Sequence, residues 1–348
     1  MMTLRQFAER SPAIPAATSW YVADVSQALG KQELFTKQAP QKLKALREHA
    51  LIESAVSSNR IEGVEVDQKR VGTIVFGKAL LRDRDEEEVR GYRKALDLIH
   101  TKGATLPLTE ATIRQLHSLS RGGVGDAGEY KQSANDIIEV FPDGRREVRF
   151  RTACAADTRP FMAELIQRWQ EVQAQRVVHP LIALGAFNLD FLCIHPFRDG
   201  NGRASRLFFL LECYHAGLEV GRYISLERLI EQNKERYYEV LKLSSEGWHQ
   251  GKHNPWHYIN FLLYTLIDAY REFERRVGET ASPRGEKTEL VLTAIASHPG
   301  PFRLTDLERD CPGVGRDWIR ALLAKLRKEG KVVCEGRGTA ALWRRLAE

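Results

Sequence analysis

Apolar positions recur at helical spacing along most of this chain. Val89, Tyr92, Leu96 and Ile99 build one face of a helix that follows the acidic run Asp83 to Val89. Leu108 to Leu119 predicts a second helix with Thr109 as its N-cap, and Pro160 to Gln175, Leu226 to Leu243 and Pro255 to Val277 predict three more. Helical patterning begins near Val22 and resumes through Leu43 to Leu51, with Pro40 as the break between segments. Ala50 to Val56 runs into Ser57-Ser58-Asn59-Arg60-Ile61-Glu62-Gly63, where Gly63 suits a helix C-terminus. The first 20 residues or so contain Pro12 and Pro15 and little periodicity, which predicts an extended arm lying on a partner domain. Two segments stand apart. Leu181 to Phe191 is almost continuously apolar, as a central buried helix is, and Leu207 to Ala216 is nearly so.

Strand signals are few. Ile137 to Phe141 and Val148 to Phe150 flank Pro142-Asp143-Gly144, which predicts a hairpin, and a lone hairpin must lie against something. Residues 121–130 are Gly-rich and read as a loop. Gly278 to Lys287 reads as a linker. Beyond it come Leu290 to Ser297, Leu304 to Arg309 and Arg316 to Glu329, the last with Trp318, Ile319, Leu322, Leu323 and Leu326 on its apolar side. Two strand-like runs, Lys331 to Glu335 and Ala340 to Arg344, surround Gly336-Arg337-Gly338. Three helices and a small hairpin is the order of a winged helix. The expected fold class is mainly α: a helical core with a β-hairpin, plus a small C-terminal winged helix.

Composition adds boundaries. The 348 residues suggest two or three domains, and 43% hydrophobic with 28% charged residues fits a soluble globular protein. A net charge of +6 is compatible with polyanionic partners. The five cysteines are scattered, odd in number and form no CxxC pair, which favours reduced thiols in a cytoplasmic protein and argues against a zinc site. No apolar run is long enough to span a bilayer, and the N-terminus lacks a signal core.

The chemistry concentrates between the two apolar segments, in His195-Pro196-Phe197-Arg198-Asp199-Gly200-Asn201-Gly202-Arg203-Ala204-Ser205-Arg206. Gly200 and Gly202 permit positive φ and close approach of a ligand, and a Gly-rich turn opening a helix offers free N–H groups to an anion. Arg203 and Arg206, three residues apart on one helical edge, suit two phosphates of a nucleotide. Asp199 beside phosphates is the usual way to hold Mg²⁺, and His195 has a pKa fit for accepting a hydroxyl proton. The residues together point to attack by a hydroxyl on a Mg-bound phosphate.

This stretch resembles the Fic family signature, His-Pro-Phe-x-Asp/Glu-Gly-Asn-Gly-Arg-x-x-Arg, with every specified position filled. The resemblance runs from about Ser57 to Val277. It implies an all-α core with a β-hairpin flap and transfer of AMP from ATP to a Ser, Thr or Tyr hydroxyl of a protein target, or of the chain itself. His195 would be the general base and Asp199 the Mg²⁺ ligand. Gly200, Asn201 and Gly202 would hold the α-phosphate, Arg203 would contact phosphate, and Arg206 would take the terminal phosphate. Asp at position 199 favours nucleotidyl transfer over the Doc-type kinase branch. The hairpin, roughly Asn135 to Arg151, corresponds to the flap, whose Ile137, Ile138 and Glu139 would pair with the target as an added strand. Asn233, Tyr237, Tyr238 and Leu241 match the helix lining the adenine pocket, although this chain has Ser244-Ser245 where relatives often carry an Asn. Ser58-Asn59-Arg60-Ile61-Glu62-Gly63 resembles the family's inhibitory motif, in the position of the subclass with an N-terminal inhibitory helix. Glu62 facing Arg206 would block the γ-phosphate, with Ser58 bracing the contact.

The expected organisation is an N-terminal helical region with the inhibitory helix (1–105), a catalytic core (106–277), a linker (278–287) and a winged-helix-like domain (288–348). Arg316, Arg320, Lys325, Arg327 and Lys328 make the last long helix basic, suited either to DNA or to a protein contact, and a homodimer is compatible with the sequence. Two other functions stay open: a DNA-binding regulator whose nucleotide site is a sensor, and removal of AMP from a target with Glu62 positioning water.

Overall fold

In a computed structural model the described residues are 2–36, 40–67, 69–77, 80–123, 125–140, 143–278, 286–298, 300–311, 314–336, 338 and 341–346. Among them the elements run α1 (Thr3–Glu9), α2 (Ala16–Thr36), α3 (Pro40–Ile61), α4 (Val71–Phe76), α5 (Arg84–Lys102), α6 (Glu110–Ser120), β1 (Ile137–Val140), β2 (Arg146–Phe150), α7 (Ala155–Gln175), α8 (Pro180–Ile194), α9 (Asn201–His215), α10 (Leu226–Gln232), α11 (Lys234–Ser245), α12 (Trp256–Gly278), α13 (Glu286–Ser297), α14 (Leu304–Asp310), α15 (Arg316–Lys328), β3 (Val332–Glu335) and β4 (Leu342–Arg345). The fold is helical, with two small antiparallel hairpins, β1–β2 and β3–β4.

α8 is the axis of the larger core. Every residue from Leu181 to Ile194 is buried, as its unbroken apolar run requires, and α7, α9, α11 and α12 surround it. α9 is buried from Arg203 to Tyr214 and packs on α5, α6 and α8. α5 begins at Asp83, whose side chain accepts from Glu86 N–H, and α6 begins at Thr109, which accepts from Thr112 N–H. α3 ends just before Gly63, whose φ of +84° is the left-handed turn that closes the helix.

The N-terminus is not an extended arm. Residues 3–9 form α1, and Met2, Thr3, Leu4 and Phe7 are buried. The cause is a long-range cap: the Asp190 carboxylate inside α8 accepts from Thr3 N–H (2.8 Å), Thr3 Oγ1 (2.9 Å), Leu4 N–H (2.9 Å) and Trp248 Nε1 (2.7 Å). Burial pushes the Asp190 carboxyl up to about 6, against the opposing pull of these donors. Other boundaries also differ from expectation. α7 starts at Ala155, ahead of Pro160, and α4 carries too short an apolar run to predict. The expected helix from Leu226 to Leu243 divides at Asn233 into α10 and α11.

A second apolar cluster joins Leu290, Val291, Phe302, Leu307, Ile319, Leu323, Leu326 and Val332, and it takes in Ala45 from α3. Three helices and a hairpin occur there in the expected order, with Phe302 pairing to Trp343 beside β3–β4. Trp318 does not share the buried face of α15; it is 38% exposed, while Ile319, Leu322, Leu323 and Leu326 are buried. Most of the expected linker, Pro142 of the first hairpin turn and Arg337 of the second lie outside the described residues. No helix among the described residues is long and apolar enough to cross a membrane.

Candidate active site

α8 ends at His195, which takes the left-handed conformation (φ +52°), rare for a residue with a side chain, and so turns the chain into the loop before α9. Loop and helix start are fixed by local hydrogen bonds. Asn201 accepts from Phe197 N–H (2.9 Å) and donates to Phe197 O (2.7 Å). Its amide therefore braces the turn. The N–H groups of Asn201, Gly202 and Arg203 precede the first helical bond of this turn, Ala204 N–H to Gly200 O. Gly200 has φ +80°, and a Cβ there would collide with Arg121 and His117. His117 stacks flat on Phe197 at 3.6 Å; its Nδ1 accepts from Gly128 N–H, so Nε2 donates to Asp199 O at 2.8 Å.

His195 is partly exposed, and its Nδ1 lies 3.3 Å from Leu192 O. A carbonyl only accepts, so Nδ1 carries the proton and Nε2 is left as a base. Burial, reinforced by the Lys131 charge, lowers the imidazole pKa to about 4. Lys131, donating to Thr152 Oγ1 (2.9 Å) and Ile194 O (3.1 Å), is itself lowered to about 8 by burial.

Asp199 is exposed and beside three arginines. Its Oδ2 meets Arg121 at 2.5 Å and Arg84 at 3.5 Å, and Arg203 lies 3.9 Å from Oδ1. Burial would raise its pKa, but Arg121, Arg203, the Gly200 N–H and Arg84 outweigh that and hold the carboxyl below its usual value. The donor set fits Mg²⁺: one solvent-facing carboxylate, with phosphates of a substrate to complete the shell.

The two motif arginines have separate partners. Arg203 Nη1 donates to Glu88 Oε2 (2.5 Å) and Asn59 Oδ1 (3.0 Å), all buried. Arg206 donates from Nε to Ser58 Oγ (2.9 Å) and from Nη2 to Ser58 O (2.9 Å) and Glu62 Oε1 (2.7 Å). Burial acts to lower the Arg206 pKa, yet Glu62, Tyr237 and Tyr92 hold it above the ordinary value. The Glu62 carboxylate lies so close over Gly202 that a Cβ there would overlap Oε1.

A cavity of about 350 Å³ brings together Glu62, His195, Gly202, Ile137, Ile138, Tyr237, Tyr238 and Leu241. Tyr237 and Leu241 are also core residues, and Tyr238 OH reaches Ile61 O at 3.3 Å. The hairpin is held against α11 by Glu139–Lys242 (3.2 Å) and by Arg149 over the Tyr238 ring, so Glu139 faces α11 rather than the cavity. β1 and β2 pair Ile138 with Val148 and Ile137 with Phe150, with an irregularity between Ile137 and Ile138. Sequence reading missed Glu88, Arg121, Arg84, His117 and Lys131. They come from distant elements, and no local spacing links them to the motif.

Residues 107–213 match the Fic/DOC family model. The Protein adenylyltransferase Fic of Drosophila sechellia and that of Drosophila melanogaster are each 24% identical over 166 residues, 47% of this chain. The chain spans only 30% of the length of these curated relatives. Among solved structures, a Fic family protein from Desulfovibrio desulfuricans G20 superposes with TM-score 0.60 at 22% identity, covering 97% of this chain and 98% of that one. Fic-1 from C. elegans (residues 134–508) gives TM-score 0.60 at 14% identity over 76% of this chain and 74% of that one. Both likenesses concern the fold. The helical fold and the turn into α9 agree with the family match, which makes residues 107–213 similar to the Fic/DOC family.

Proposed function

We propose that this chain is a protein adenylyltransferase held at rest by its own α3. The observation that carries the reading is Arg206 hydrogen-bonded to both Ser58 and Glu62 at the edge of the cavity that His195 lines. ATP is the substrate, its α-phosphate received by the N–H groups that open α9. His195 Nε2 accepts the proton of a target hydroxyl as that oxygen bonds to the α-phosphorus, and the bond to pyrophosphate breaks. Asp199 would hold Mg²⁺, which neutralises phosphate charge. Tyr237, Tyr238 and Leu241 receive adenine, and the Ile137–Ile138 edge of the hairpin receives the target strand. Arg206 takes the terminal phosphate once Glu62 leaves; while Glu62 is bound, the two anions compete for one guanidinium.

Residues 1–105 then serve as the inhibitory region, 106–277 as the catalytic core and 288–348 as a winged-helix-like domain joined by 278–287. Exposure of Glu62 beside His195 also favours a second reading, in which Glu62 positions water to remove AMP. Whether the basic α15 meets DNA is decided by a shift assay with salt titration, since phosphate contacts give a steep salt slope. The enzymatic reading is tested by incubating the Glu62→Gly protein with labelled ATP, Mg²⁺ and lysate, followed by mass spectrometry. Label on a hydroxyl residue supports it; no label on any protein, this chain included, rejects it.

A further inference from the structure

α3 meets the C-terminal unit at a buried polar cluster that the adenylyl-transfer chemistry does not use. His49, on α3 upstream of Ser58, is 1% exposed; Asp310, at the end of α14, is 0% exposed; and His298, just after α13, joins them. One ligand atom from each lies within 4.8 Å of the others. His49 Nε2 is 3.6 Å and His298 Nε2 is 2.9 Å from Asp310 Oδ2. The first is beyond hydrogen-bond distance and the second is a close charge contact only, so both nitrogens of His49, His298 Nε2 and Asp310 Oδ2 are buried without a hydrogen-bond partner. Buried polar atoms are almost always satisfied, so this many orphans in one place point to something that fills the gap between them.

We propose that His49, His298 and Asp310 form a site for a divalent transition metal of the zinc type, which fastens α3 to the C-terminal unit. Two imidazoles and a carboxylate are borderline nitrogen and hard oxygen donors that suit Zn²⁺, with water in the fourth position. Bonds of about 2.0–2.2 Å in a tetrahedron place ligand atoms about 3.3 Å apart; the separations of 2.9 and 3.6 Å straddle that value. The surroundings orient Asp310 and His298. Arg309 Nε engages the other carboxylate oxygen, Oδ1, at 3.3 Å and leaves Oδ2 free. The His298 ring stacks on Phe302 and meets the His49 ring edge-on at 5.1 Å. Arg276 and Arg309 add positive charge, and Glu48, also facing Asp310 and with one buried oxygen lacking a partner, opposes them. A cavity of about 330 Å³ lined by Thr73, His298, Gly300 and Arg309 opens onto the cluster and gives a route for the ion and the fourth ligand. His49 is far in sequence from His298 and Asp310, and none of the three is a cysteine, which is why cysteine counting and local motifs are blind to them.

The test uses the full chain, stripped with chelator and titrated with Co²⁺ in excess Mg²⁺, so that any site at Asp199 is masked. The expected result is one equivalent of Co²⁺ with the visible absorption of a four-coordinate ion, displaced by Zn²⁺, and a Tm raised by Zn²⁺. His298→Ala, at the most accessible ligand, and Asp310→Asn should both lose the absorption and the Zn²⁺-dependent Tm shift, whereas His257→Ala on α12 keeps them. Failure of the stripped wild-type chain to take up Co²⁺, or an unchanged Co²⁺ spectrum in a folded His298→Ala protein, would overturn the proposal. Neither readout depends on AMP transfer.

Discussion

Arg203 and Arg206 sit three residues apart on α9, both almost wholly buried, and each faces a carboxylate from another helix. The difference is in the partners. Glu88 is 4% exposed, lies within α5 and also binds Arg121 and Arg84. Glu62 is 31% exposed, stands past the last turn of α3 and makes its bond at the edge of a cavity. A buried charge pair knit into a network is costly to break, because removal of one member strands the other. A carboxylate at a helix end beside solvent can leave, since water replaces it. The proposed function therefore gives the two pairs different uses: Arg203–Glu88 as the frame of the site, and Arg206–Glu62 as the contact that opens.

The largest expected effect is on chemistry common to both pairs. In a Glu62→Gly background, His195→Ala should lower AMP transfer by about 10²–10⁴-fold, the usual worth of a general base, with α9 intact by circular dichroism. The same group sets the acid limit. With its pKa near 4, His195 is neutral at pH 7 and protonates only as pH falls through about 4. Initial rates should thus stay flat from pH 7 to 5 and drop below that. Stability has the same sign: the folded state binds fewer protons than an unfolded histidine between pH 6.5 and 4, so it loses stability on acidification through that window.

Next comes the frame. Glu88→Ala should destabilise the fold by about 3–5 kcal/mol, read from urea midpoints, because Arg203 and Arg121 are left without their buried anion. Glu62→Gly should cost only about 1 kcal/mol, as a partly exposed pair does, and raise transfer at least about tenfold. Equal stability losses in the two variants would erase the distinction between frame and gate. The smallest effect is expected of Ser58→Ala, which removes one hydrogen bond to Arg206, worth about 1 kcal/mol, and should raise transfer by a few-fold at most.

What could be read from sequence was what is local in it. The His195–Arg206 run, the Asp-Gly hairpin and the apolar α8 each carry their signal within a few residues, and each lies where its pattern implied. The Ser58–Gly63 stretch was legible as a helix end, and its proximity to Arg206 followed only from the resemblance. Where a structure rests on distant partners, the pattern was silent or misleading. α1 looked unstructured because its capping carboxylate is Asp190, far along the chain. Glu88 lay within an acidic run and Arg121 in a Gly-rich stretch, with nothing local to tie either to the motif, and Asn201, set on the α-phosphate by the resemblance, has its amide bonded to Phe197.

The central claim is that one guanidinium serves Glu62 at rest and the terminal phosphate during transfer. Its most direct test is the rate of labelled AMP transfer by wild type, Glu62→Gly and Glu62→Gly/Arg206→Ala, measured side by side. Glu62→Gly should exceed wild type at least about tenfold, and the double variant should fall back to the wild-type rate or below it. A Glu62→Gly rate equal to wild type, or a double variant that keeps the gain, would contradict the account.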